Sequence, residues 1–203
     1  MLISINEIIN DYGLNIKGII HIGAHHGQEY TSYIKGGIIN IMFFEPATAN
    51  FKILKDRVNK GVKLFNLALG NETGEREMYI ETANEGMSNS MLKPGTHLIH
   101  YPHITFDKRE TVKIDKLDNI NFDRQLYNMI NIDVQGFELE VFRGAIESLK
   151  YIDIIYTEVN TEEVYKGCPL ISDIDTFLGK MCFHRIAESF KYSPAWGDAI
   201  YIR

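Results

Sequence analysis

The run Gly18-Ile19-Ile20-His21-Ile22, followed by Gly23-Ala24-His25-His26-Gly27, decides the fold. Its first half is apolar and β-branched, which predicts a buried strand. Its second half puts glycines into a tight turn, and a helical segment is expected at 28–34. A second β-rich run at 38–44 ends in Glu45-Pro46, and the segment 49–58 then spaces Phe51, Leu54 and Val58 by three and four residues, as an amphipathic helix does. Strand, helix, strand, helix in this order predicts an α/β protein with a mainly parallel sheet covered on both faces.

The pattern continues outward from that start. Strands are expected at 62–67, 76–81 and 111–117, with a buried one at 127–132. Leu139, Phe142, Ile146 and Leu149 define a further helix. The segment 152–159 reads as a strand, 171–181 as a helix, and 184–190 and 199–202 as two closing strands. Between about residues 82 and 108 the apolar periodicity disappears and Asn, Ser, Gly, Pro and His dominate, which predicts a long loop or lid bordering a binding site. No linker composition or internal repeat divides the 203 residues, so a single domain spanning 1–203 is expected.

Composition excludes several classes. The net charge of −6 argues against a surface built to neutralise phosphates, so nucleic acid is not expected as a partner. No apolar run approaches the length of a membrane span, and residues 1–15 lack the basic and apolar regions of a secretory signal. The expectation is a cytoplasmic protein. Two cysteines without a CxxC pair argue against a disulfide framework or structural zinc. His97, His100 and His103 are separated from a helical alignment by Pro102, and no metal is expected.

Ligands of open parallel sheets bind beyond the carboxyl ends of the strands, so the residues just after each strand carry the chemistry. Gly23 and Gly27 allow backbone to approach a ligand, and Glu45 lies 22 positions after Gly23 at the next strand's tip, where a carboxylate can accept from ribose hydroxyls. A nucleoside-containing cofactor is implied. The G-x-x-x-G spacing lacks the fuller pyrophosphate pattern, which disfavours a nicotinamide-dependent oxidoreductase.

Taken together, five pieces resemble the FkbM family of methyltransferases over most of the chain. They are Ile20-His21-Ile22-Gly23-Ala24-His25-His26-Gly27-Gln28-Glu29; Phe43-Phe44-Glu45-Pro46; Asn66-Leu67-Ala68-Leu69-Gly70; Asn131-Ile132-Asp133-Val134-Gln135-Gly136-Phe137-Glu138; and Trp196-Gly197-Asp198-Ala199. The resemblance implies a Rossmann-like class I methyltransferase fold, a seven-stranded sheet whose last strand is antiparallel. It also implies S-adenosyl-L-methionine as methyl donor and O-methylation of a carbohydrate or natural-product hydroxyl. His21 stands where many relatives carry an acidic residue, and His25 where asparagine is common.

On this reading Glu45 holds the ribose, Gly23, Ala24 and Gly27 line the methionine portion, Ala68 lies near the adenine, and Asp133 contacts the donor or the acceptor. Methyl transfer to a hydroxyl needs in-line placement and a group to take the proton. Asp133, His25, His26 and Glu158 are the candidates, and spacing does not choose among them. Asp133 could alternatively cap the following helix, and Trp196 could wall the acceptor. The competing function is a catalytically inactive S-adenosylmethionine-binding partner module.

Overall fold

The structure, a computed structural model, describes residues 3, 9 and 11–203. Among the described residues ten strands form two sheets. Strands β1 (Gly18–Ile22), β2 (Asn40–Phe44), β3 (Lys63–Phe65), β7 (Met129–Ile132), β8 (Ile154–Asn160), β9 (His184–Ser189) and β10 (Trp196–Ile202) make a seven-stranded sheet in the order β3-β2-β1-β7-β8-β10-β9. Pairing is parallel except along β10, which runs antiparallel to both β8 and β9. The expected reversed last strand is present, inserted one place in from the edge.

Helices α1 (Tyr30–Lys35), α2 (Thr48–Arg57), α4 (Glu138–Arg143), α5 (Ile146–Leu149) and α6 (Ile171–Lys180) cross between strands, and a one-turn α3 (His97–His100) lies in the long connection before β6 (Lys108–Asp115). The period-two pattern of each strand sorts its side chains into two core layers. Ile20, Ile22, Met42, Phe44, Ile130, Ile132 and Ile155 pack on one face, while Ile19, Ile41, Phe43, Met129 and Ile154 pack on the other.

Three expectations are adjusted by tertiary contacts. The strand expected at 62–67 stops at Phe65, and Ala68–Leu69 instead form β4 of a separate sheet, β4-β6-β5, with β5 at Gly74–Ile80 and β6 at Lys108–Asp115. The helix expected through 139–149 breaks at Gly144, where an added Cβ would lie 1.9 Å from the carbonyl oxygen of Gly70. That contact brings the small sheet and the broken helix together. Finally, the segment expected as a loop or lid is tied down at several points. Gly95 and His97 donate to the carbonyl of Val164 at 2.8 and 3.1 Å, Thr96 donates to Glu163 at 3.1 Å, and Ser90 and Tyr79 exchange backbone bonds. It is a roof fixed to the tips of β5 and β8.

Candidate active site

The carboxyl ends of β1, β2, β7 and β8 open into a cavity of about 630 Å³, a volume in the range of small-molecule and cofactor sites. Because β10 is antiparallel, its first residues reach the same edge, and Trp196 and Asp198, two apart, both line the cavity. The roof contributes Asn84, Ser88, His97, Tyr101 and His103.

Glu45 is buried at the tip of β2. Its Oε2 accepts from the backbone N–H of His25 at 2.8 Å and its Oε1 from that of Ala47 at 2.9 Å. Each oxygen keeps a further lone pair for a ligand hydroxyl. Burial raises its pKa to about 7, against the two backbone donors that lower it. Gly23 lies at φ +78° with an added Cβ only 1.9 Å from the Asp133 carbonyl, so no other residue fits this turn. Gly23, Ala24 and Ala68 line the cavity. Gly27 is not among the lining residues; its α-carbon faces Leu54, where an added Cβ would lie 2.6 Å from Cδ1. Its place beneath the turn is explained by packing on α2.

Asp133 follows β7 with its side chain exposed to the cavity, and desolvation by the protein packed around it raises its pKa to about 6. It does not cap α4. Glu138 instead holds the turn, its Oε1 accepting from the amides of Val134 and Gly136 at 3.1 Å each. Burial, with Asp133 nearby, raises the Glu138 pKa to about 7. Glu158 is buried at the end of β8, and burial together with Asp133, Glu138 and Asp198 pushes its pKa well above the usual carboxylate range. The amide nitrogen of Gln135 donates to Asp133 Oδ1 at 2.6 Å and to Glu158 Oε2 at 2.8 Å.

His25 lines the cavity, but both ring nitrogens are engaged, Nε2 with the Glu85 carbonyl at 2.8 Å and Nδ1 with Gln28 Nε2 at 2.7 Å. His26 stacks on His25, bonds Asn50 through Nε2 and is not a lining residue. His21 is buried in a relay in which Asn131 donates to Tyr33 at 2.6 Å and Tyr33 meets His21 Nδ1 at 3.2 Å; burial lowers its pKa to about 4, so it is neutral. His100 pairs with Glu162, while His97, buried within the roof, and His103 both line the cavity. Among the described residues no three His, Cys, Asp or Glu side chains converge as metal ligands.

The cavity brings together Gly23, Ala24, His25, Glu45, Ala68, Asp133 and Glu158 from five separate stretches of chain. Sequence reasoning gave no role to Asp198 or Tyr165. Asp198 carried a usable signal, its period-two spacing from Trp196 at the start of an antiparallel strand. Tyr165, which donates to Gln135 Oε1 at 2.7 Å, lies in an irregular segment with no pattern to reveal it.

A seven-stranded sheet with one reversed strand, a carboxylate after β2 and another after β7 define a nucleoside-cofactor-binding protein of the class I methyltransferase type. The chain belongs to the FkbM methyltransferase family, since the Methyltransferase FkbM domain matches residues 21–192. It is 27% identical to the 2-O-methyltransferase NoeI of Sinorhizobium fredii (strain NBRC 101917 / NGR234), across 77% of this chain and 69% of that protein. Its fold is shared with an S-adenosylmethionine-dependent methyltransferase of Clostridium acetobutylicum ATCC 824, with TM-score 0.55, 7% identity and coverage of 98% and 88% of the two chains. Magnesium protoporphyrin IX methyltransferase of Synechocystis PCC 6803, solved with its methyl donor bound, gives TM-score 0.54, 8% identity and coverage of 98% and 75%. Among the described residues no helix is long and apolar enough to cross a membrane.

Proposed function

We propose that this methyltransferase uses S-adenosylmethionine to methylate a hydroxyl of a carbohydrate or glycosylated small molecule, with Asp133 taking the hydroxyl proton. The observation that carries the donor reading is the charge of the cavity. Among the described residues, Glu29, Glu45, Asp133, Glu158 and Asp198 line it, and no Lys or Arg does. Such a wall suits a cationic sulfonium and repels the pyrophosphate of a dinucleotide. The donor brings a methyl group already activated by the positive sulfur, and the residues hold, orient and remove a proton. Glu45 accepts from the ribose hydroxyls, the Gly23-Ala24 backbone borders the methionine portion, and Ala68 flanks the base.

Asp133 is favoured as proton acceptor because the three candidates that line the cavity differ in their surroundings. Burial and the neighbouring acids push the Glu158 pKa well above the usual carboxylate range, both His25 nitrogens are engaged, and Asp133, with a pKa of about 6, is mostly ionised near neutral pH. Transfer to a hydroxyl is supported by the likeness to the 2-O-methyltransferase NoeI, and a carbohydrate acceptor by the Trp196 and Tyr101 walls, fixed to each other by a 2.9 Å bond from the indole N–H to the phenol. Calorimetric titration with S-adenosylmethionine and its demethylated product, with Glu45→Ala and NAD as controls, tests the donor. A mass-spectrometric screen of glycosides for methyl transfer tests the acceptor. Donor binding without transfer to any hydroxyl compound would favour the inactive binding module instead.

A further inference from the structure

We propose that Gln135 is a positioning residue: it fixes the carboxylates of Asp133 and Glu158 against each other and links their placement to the roof of the cavity. The proposal rests on Asp133 being the proton acceptor. Gln135 uses its whole side chain for this. Its Nε2 reaches Asp133 Oδ1 at 2.6 Å and Glu158 Oε2 at 2.8 Å, and its Oε1 accepts from the Tyr165 hydroxyl at 2.7 Å. The amide can face only this way, since a carbonyl turned toward two carboxylates could be satisfied only if both were protonated.

The backbone of Gln135 is held as firmly. Its φ is +54°, an unusual value for a residue with a Cβ, and its carbonyl accepts from Ser90 Oγ at 2.7 Å. Ser90 belongs to the roof, as does Ser88, whose carbonyl lies 3.1 Å from the Tyr165 hydroxyl and shares its one proton with Gln135 Oε1. Ser88 Oγ continues the chain to His97 Nε2 at 3.1 Å, at the start of α3. An unbroken run of bonds therefore joins the acceptor-facing roof to the two carboxylates at the sheet edge. A strained backbone and a fully committed amide at one residue are the structural mark of a preorganised site.

The charged and titratable groups around the pair are Glu138 at the start of α4, Asp198 on β10, Glu29 before α1 and Tyr165. Glu45 at the tip of β2 lies within electrostatic reach of Asp133. All of these except Tyr165 are acids, so two fixed N–H donors matter more to the ionised forms here than they would in a mixed environment.

The test follows the carboxyl carbons of Asp133 and Glu158 by NMR during a pH titration of ¹³C-labelled protein saturated with S-adenosylhomocysteine. The wild type is compared with Gln135→Asn, which keeps an amide and tolerates positive φ but is too short to reach both partners, and with Tyr165→Phe. Gln135→Asn is expected to move both titrations upward by about one pH unit, and Tyr165→Phe by a smaller amount. Affinity for S-adenosylhomocysteine should stay within about twofold. Unmoved titrations in Gln135→Asn overturn the proposal, and movement in that variant alone overturns the link to the roof. Should no glycoside be methylated by the wild type, the acceptor reading fails, whereas the titration still decides the role of Gln135.

Discussion

Glu45, buried, and Asp133, open to the cavity, are the two side chains on which the proposed function turns, and the protein around each raises its pKa and sets how it responds to pH. If ribose hydroxyls bond ionised Glu45, as proposed, donor affinity should weaken as pH falls through about 7, by up to about tenfold per unit. Calorimetry at several pH values reads this, and Glu45→Ala should lose about 100-fold in donor affinity with the dependence abolished. Asp133→Asn should lower kcat about 100-fold or more while donor affinity changes little. The wild-type rate should rise with pH through about 6 as Asp133 ionises. Glu45 was legible in the sequence because its position after β2 follows from strand spacing alone. The choice among Asp133, His25 and Glu158 was not legible, since it depends on Gln28, Glu85 and Gln135 meeting them across the fold.

At the scale of elements, hydrophobic period fixed which segments are strands and helices, while contacts from elsewhere fixed where they end. The apolar positions from Leu139 to Leu149 continue one helical period, yet the helix breaks because Gly144 lies against Gly70. Gly144→Ala should cost about 3 kcal/mol in urea unfolding, because a backbone oxygen cannot yield to a new Cβ as a flexible side chain would. Likewise the roof segment has a polar, aperiodic sequence, and its anchors at Glu163 and Val164 lie some 70 residues away in the chain. Trp196→Ala, at the start of the reversed strand β10, should raise the acceptor KM about tenfold and leave donor affinity unchanged. A comparable loss in both would place Trp196 at the donor.

Across the whole molecule, gathering buried acids around one cavity has a cost in stability. A carboxylate whose pKa is raised on folding binds more protons in the native than in the unfolded state. Its contribution to stability is therefore lost as pH climbs from its ordinary value through the raised one. For Glu45 this window runs from 4.5 to about 7, and for Asp133 from 3.8 to about 6. His21 works the other way, its pKa lowered to about 4 from 6.5, so it adds stability as pH rises across that interval. Above about pH 6.5 only the carboxylates remain, and the melting temperature of the ligand-free protein should fall. Glu158→Gln should therefore raise the melting temperature by several degrees at about pH 8 and much less at about pH 5. Scanning calorimetry at both values checks this, and an equal gain at both would mean that packing, not charge, is responsible.

The sequence by itself determined the order of strands and helices along the chain, the glycine turn after β1 and the carboxylate after β2, because each depends on residues close together in the chain. The separate small sheet, the anchored roof, the break at Gly144 and the Asp133–Gln135–Glu158 arrangement were decided only by the tertiary structure. Their defining contacts join distant segments, and local periodicity carries no record of which side chain a carboxylate or an amide will meet.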